Sequence, residues 1–158
     1  MNELQLRSLR LIKSIKKEFY RSLYSQIEWD NRLIEIKGAR GVGKTTLMLQ
    51  KAASLSEKNN VVLYVSADWP YFFSNSILQL AEEFYSMGGQ FLFIDEIHKY
   101  PPKHKGSDWA LEVKNVYDTL PDLKVVYSGS SILQLYKSQG DLSRRKSSYL
   151  LKGLSFRE

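Results

Sequence analysis

Gly38-Ala39-Arg40-Gly41-Val42-Gly43-Lys44-Thr45 carries glycine, lysine and threonine at the spacing G-x-x-x-x-G-K-[ST] of a phosphate-binding loop. Glycines let the backbone turn back on itself, so that successive N–H groups converge on an anion at a helix N-terminus. Lys44 would bring a full positive charge to the terminal phosphates of a nucleotide, and the Thr45 hydroxyl would ligate Mg²⁺. Gly38 through Thr45, with Thr46 directly after, are therefore the candidate nucleotide-binding residues. Their flanks agree with that chemistry. Leu33-Ile34-Glu35-Ile36 is a short alternating β-branched run, and Thr46 to Ala53 are good helix formers, so the loop sits between a strand and a helix. The plainer alternative is a glycine-rich turn that binds nothing.

A second group of residues matches the needs of the first. Phe91-Leu92-Phe93-Ile94-Asp95-Glu96 is an apolar strand ending in two adjacent acids. Asp95 has the place of the carboxylate that holds Mg²⁺ beside such a loop. Glu96, at the mouth of the strand, would polarise a water for in-line attack on a γ-phosphate. In isolation, two solvated acids ending a strand would look the same. Val125-Val126-Tyr127-Ser128-Gly129-Ser130-Ser131 offers a small polar residue at the end of a neighbouring strand. Ser128 is the first candidate to touch the γ-phosphate or the attacking water, and Ser130 the second. The same serines also suit a turn that caps a helix starting near Ile132. Arg144 and Arg145 could neutralise transition-state charge on a neighbouring subunit's nucleotide, or form a solvated basic loop. His98 and His104 lack partners at metal-ligand spacing, which argues against a zinc site.

The elements that must position these groups alternate. A basic helix is expected over residues 5–27, with Leu9, Ile12, Phe19 and Leu23 turned inward. A strand at 33–37 and the loop helix at 44–56 follow. The strand Val61–Val65 is a continuous apolar run of the kind buried in a parallel sheet. A helix through Ile77, Leu80, Ala81 and Phe84 is capped by Ser74 or Asn75 and ended by Gly88-Gly89. After the strand at 91–94, Pro101-Pro102 open a loop. A helix from Trp109 to Leu120 then leads to a strand at Val125–Tyr127, a polar helix or loop around Ile132–Tyr136, and a candidate fifth strand at Tyr149–Leu151. Such alternation implies a parallel sheet with right-handed crossovers, and a ligand site beyond the carboxyl ends of its strands.

Bulk properties narrow the class without deciding it. A chain of 158 residues with 43% hydrophobic and 25% charged residues is that of one soluble domain. It has no cysteine, no span of membrane length and no signal peptide, so a cytoplasmic location is expected and no membrane partner. The net charge of +6 draws on Arg7, Arg10, Lys13, Lys16, Lys17 and Arg21. That basic stretch is either a nucleic-acid footprint or the solvated face of an amphipathic helix.

With Gly38–Thr46, Phe91-to-His98, Lys124–Ser131 and the closing Lys152–Glu158 in order, the chain resembles the ATP-binding domain of prokaryotic AAA-type ATPases, within the AAA+ P-loop NTPases. The resemblance runs from about residue 15 to the end. It implies a three-layer α/β/α fold whose five-stranded parallel sheet has the order 5-1-4-3-2, with the loop strand between the fourth and fifth strands. It also implies phosphate and metal contacts at Lys44 and Thr45, metal-holding and catalytic acids at Asp95 and Glu96, and a polar sensor at Ser128. Family members continue past the fifth strand. The expectation is thus one ATP-binding domain over 1–158, without the helical lid, as the N-terminal part of a longer chain whose C-terminal domain is missing. The expected activity is Mg²⁺-dependent ATP hydrolysis to ADP. The alternatives are a nucleotide-gated binding module that hydrolyses slowly, and a nucleic-acid-dependent ATPase. A homo-oligomer is among the expected partners.

Overall fold

The computed structural model describes residues 1–103, 108–130 and 142–154. Two helices, α1 (Asn2–Ser14) and α2 (Ser22–Gln26), precede β1 (Leu33–Lys37) and α3 (Lys44–Glu57). Next come β2 (Val62–Ser66), α4 (Tyr71–Ser74), α5 (Ile77–Ser86) and β3 (Phe91–Asp95). A single 3₁₀ turn at Ile97–Lys99, α6 (Trp109–Thr119), β4 (Lys124–Gly129) and β5 (Ser147–Leu150) complete the described chain. The five strands form one sheet, all pairs parallel, in the order β2-β3-β4-β1-β5. That is the expected 5-1-4-3-2 order read from the other edge.

The order dictates the layers. From β1 the chain crosses to the far edge at β2, then returns stepwise through β3 and β4. Right-handed crossovers in opposite directions put α3 on one face and α5 and α6 on the other. α3 lies with α1 against β2 and β3, while α5 and α6 pack on each other. Both faces being covered, the strands read as apolar runs. Ile34, Ile36, Val65, Phe93 and Ile94 are completely buried, as are Leu47 and Met48 of α3 and Leu80 of α5. α5 begins with a capping box. Ser76 accepts from Gln79 N at 3.0 Å, and the Gln79 side chain accepts from Ser76 N at 2.8 Å. The cap is Ser76, one or two residues beyond the expected Ser74 or Asn75, because Tyr71–Ser74 form their own helical turn.

The N-terminal segment departs most from expectation. The single helix over 5–27 is two helices, with Ile15 already extended (φ −71°, ψ 136°). Its buried face is Leu4, Ser8 and Ile12, whereas Leu9 and Phe19 are exposed. The cause is tertiary hydrogen bonding. Gln50, buried on α3, donates Nε2 to Lys16 O (3.1 Å) and Phe19 O (2.7 Å), which holds those carbonyls outside a helical ladder. Buried Ser8 accepts the Tyr64 N–H at 2.8 Å and so covers a donor on the edge strand β2.

β1 is buried throughout Leu33–Ile36, so the alternation of its sequence does not give it a solvent-facing side. Glu35 is completely inaccessible, yet its carboxylate accepts from Tyr127 OH (2.9 Å), Lys146 Nζ (3.0 Å) and Ser148 Oγ (2.8 Å). Burial and the Glu35 charge together push the Tyr127 hydroxyl's pKa up, which keeps it a donor. Lys146→Met should destabilise the fold by about 3 kcal/mol in urea unfolding, because the buried charge loses its closest cation. Glu35→Gln introduced into the Lys146→Met background should restore part of that loss.

Candidate active site

The loop between β1 and α3 owes its path to its glycines, two of which show why. Gly43, the residue before α3, has φ 103°, a left-handed conformation that a side chain resists. Gly38 lies so close to the chain after β5 that a Cβ there would meet Leu151 O at 2.6 Å, against backbone that cannot step aside. The loop then delivers Lys44, Thr45 and Thr46 to the first turn of α3. Gly41, Gly43, Lys44, Thr45, Thr46 and Glu96 line one cleft of about 270 Å³ at the carboxyl edge of the sheet. A larger concavity of about 690 Å³, lined in part by Leu4, Arg7, Trp69 and Tyr71, lies under α1 and brings together none of the expected site residues.

Lys44 is buried, and its Nζ donates to Gly38 O (2.9 Å) and Ala39 O (2.8 Å). Burial pushes its pKa down, against the pull of Asp95 and Glu96 upward. Thr45 Oγ1 donates to Asp95 Oδ2 at 2.5 Å, which joins the loop directly to the end of β3. Asp95 is saturated with donors. Tyr64 OH also reaches Oδ2 (2.6 Å), while Oδ1 accepts from the Ser128 hydroxyl and from Glu96 N (3.0 Å). Tyr64 can do this because β2 and β3 pair Ser66 with Asp95, placing Tyr64 diagonally across on the same face. Thr45 and Asp95 thus offer two hard oxygen donors at one point, the donor set that magnesium takes from protein when phosphate and water supply the rest. No cluster of three or more His, Asp or Glu side chains able to hold a metal by themselves is present among the described residues.

Glu96 is the one non-glycine of the site with a left-handed backbone (φ 55°, ψ 44°), a strain of order 1–3 kcal/mol. Its N–H, held by Asp95 Oδ1 and by Ser128 Oγ at 3.2 Å, over-determines that geometry. The turn swings the side chain into the cleft, where its carboxylate pairs with Lys99 Nζ at 2.6 Å. Ser128 is completely buried, with its hydroxyl on Asp95 rather than open to the cleft. Ser130, the second candidate, contacts His98 instead, with its Oγ 2.8 Å from Nε2. Burial lowers the His98 pKa, which favours the neutral ring that accepts the Ser130 N–H at Nδ1 (3.2 Å). Arg144 is exposed in the turn before β5, at the amino-terminal edge of the strands and the full length of β1, roughly 16 Å, from the loop. It does not join the site of its own chain. Arg145 pairs with Asp118 through two contacts, at 3.0 and 3.2 Å. His104, Ser131 and the segment around Ile132–Tyr136 lie outside the described residues.

Residues 30–158 match the sequence profile of an AAA domain. The chain belongs to that family. This AAA domain also has the fold of several solved ATPases and initiators. The Walker-type ATPase PABY2304 of Pyrococcus abyssi superposes with a TM-score of 0.59 at 16% identity, over 93% of this chain and 59% of that one. AMPPCP-bound DnaA from Aquifex aeolicus gives 0.52 at 16% identity, over 92% and 44%. DnaA bound to AMPPCP and single-stranded DNA gives 0.52 at 18% identity, over 92% and 49%. At these identities the likeness is one of fold, and this AAA domain spans about half the length of those chains. No curated protein matches it. The family match starts at residue 30, later than the expected start near 15, so α1, α2 and the segment between them lie outside it. No helix among the described residues is long and apolar enough to cross a membrane.

The motif reading missed Tyr64, Lys99, Gln50 and Arg21. Tyr64 had a signal, a hydroxyl within an otherwise apolar strand run. The other three act through long-range contacts or an ordinary surface-like spacing that carries none.

Proposed function

We propose that this chain binds Mg²⁺·ATP in the cleft between the loop and β3, and hydrolyses it to ADP and phosphate. The observation that carries the reading is the Thr45–Asp95 contact at 2.5 Å, with Lys44 and Glu96 lining the same cleft. In this reading Gly38 to Thr46 hold the phosphates through backbone N–H groups, and Lys44 leaves its two carbonyls for phosphate oxygens. Thr45 and Asp95 would hold magnesium, which supplies charge neutralisation on the phosphates. Glu96 orients a water and accepts its proton, and Ser128 serves by fixing Asp95 and the Glu96 backbone.

The location proposed is the cytoplasm. The proposed protein partners are a further domain of a longer chain and a second copy, whose nucleotide Arg144 is exposed to meet. The basic residues on α1 keep a nucleic-acid partner in the proposal, to be read as turnover that rises with DNA or RNA and falls with salt.

Asp95→Ala should weaken Mg²⁺·ATP binding about tenfold or more while leaving metal-free ATP binding within about twofold, since the carboxylate acts on the metal. Calorimetric titrations with and without magnesium measure this, and equal losses in both would remove Asp95 from the metal. A second reading has its own support. The Glu96–Lys99 pair occupies the would-be base, as suits a binding module that turns over slowly and signals by nucleotide state.

A further inference from the structure

Arg21 stands in the segment between α1 and α2, outside the residues matched to the family, yet only 9% of it is exposed. Its guanidinium forks between two carbonyls. Nη1 donates to Val42 O in the phosphate loop at 2.6 Å, and Nη2 donates to Lys152 O after β5 at 2.5 Å. We propose that Arg21 is a positioning residue for the phosphate-binding loop, which holds and polarises the Val42–Gly43 peptide for nucleotide binding. The inference rests on the nucleotide-binding reading above.

Val42 C=O and Gly43 N–H belong to one planar peptide and point in opposite directions. A cation on the oxygen draws electron density from the nitrogen, so the N–H becomes a stronger donor. Gly43 lines the cleft and precedes α3, where N–H groups gather on an anion. The guanidinium lies close to this peptide, since a Cβ built on Gly43 would be 3.7 Å from Nη1. The other arm closes a frame. Gly38, at the start of the loop, already abuts Leu151 O, and Leu151 N donates to Lys37 O at 2.8 Å. Both ends of the loop are therefore registered to residues 151–152, the first by contact and the second through Arg21. Gln50 fixes the segment that carries Arg21 by its bonds to Lys16 O and Phe19 O, so the guanidinium is held in place by the fold itself. A lysine there would reach one carbonyl as a point charge, not both as a fork.

The test compares Arg21→Met and Arg21→Lys with the unaltered chain in calorimetric titrations of Mg²⁺·ADP and Mg²⁺·ATP. Gln50→Leu, which loosens the segment without removing the guanidinium, is the structural control. Arg21→Met should lose about tenfold in affinity for both nucleotides alike, the scale of one charge-assisted hydrogen bond acting through a peptide. Arg21→Lys should lose less. In turnover, KM should rise while kcat stays within about twofold, because the acids are untouched. Millimolar guanidinium ion should restore affinity to Arg21→Met, and the same concentration of sodium chloride should not. Unchanged affinity in both Arg21 variants overturns the proposal. So does a loss that guanidinium fails to rescue, whether or not Gln50→Leu reproduces it, since the segment is then only structural. If Arg21→Met does not fold, the Arg21→Lys affinity decides alone. Failure of the unaltered chain to bind either nucleotide would instead defeat the underlying nucleotide-binding reading.

Discussion

Glu96→Gln is expected to leave Mg²⁺·ATP bound and slow its hydrolysis by about 10²–10⁴-fold, the usual contribution of a positioned general base. The variant keeps the size and hydrogen-bonding reach of the side chain and removes its charge. Ground-state binding should persist or tighten slightly, because a carboxylate in the same cleft as the phosphates repels them. The backbone should hold its left-handed turn, since Asp95 and Ser128 fix it through the Glu96 N–H and not through the side chain. What the substitution does disturb is the pair with Lys99. Lys99 lies at the surface, with Asp68 3.9 Å away as a second partner, so stability should change by less than about 1 kcal/mol. Single-turnover hydrolysis under saturating nucleotide is the measurement. A Gln variant that cleaves ATP at the unaltered rate would make Glu96 a solvated strand end and would favour the slow binding module.

How much of this was legible in the sequence depends on the range over which each feature is encoded. The loop from Gly38 to Thr45 is local, and its strand and helix were written on either side of it. Asp95 and Glu96 were legible because an apolar run ends abruptly in charge, and the parallel sheet then brings β3 to within a hydrogen bond of Thr45. The strand order followed from resemblance, since alternation alone gives parallel pairing and no neighbours. The segment 15–21 was not legible. It has no glycine or proline to interrupt a helix, and the interruption comes from Gln50, which lies on α3 and takes two of its carbonyls. The burial of Glu35 was not legible for a related reason. Its closest cation, Lys146, is 111 positions away, and only the pairing of β1 with β5 puts them together. The placement of Ser128 shows the same limit within the site. Strand position located the residue correctly beside the acids, but only the hydrogen bond to Asp95 shows which group its hydroxyl serves.

Lys44→Ala should cost at least about 100-fold in affinity for both Mg²⁺·ATP and Mg²⁺·ADP, since the phosphates lose their motif-placed side-chain cation in a buried setting. The apo protein should behave differently. Burial holds the folded-state pKa of Lys44 below its ordinary value, and the first cause is desolvation, which Asp95 and Glu96 only partly offset. A lysine with a lowered folded pKa disfavours folding at neutral pH, where the unfolded chain keeps it charged without cost, and that penalty fades as pH rises toward the ordinary lysine value. Replacing it removes the penalty together with the two bonds to Gly38 O and Ala39 O. These changes oppose each other, so the ligand-free melting temperature should move little. Nucleotide should then separate the two proteins. At a concentration 100 times its Kd, a ligand stabilises the state it binds by about 2.7 kcal/mol, so Mg²⁺·ADP should raise the melting temperature of the unaltered chain by several degrees. The same addition should stabilise Lys44→Ala by no more than about 0.4 kcal/mol, a much smaller shift. Equal upward shifts in both proteins, or equal affinities by calorimetry, would mean that the loop does not hold the phosphates, and the ATPase reading would fall with it.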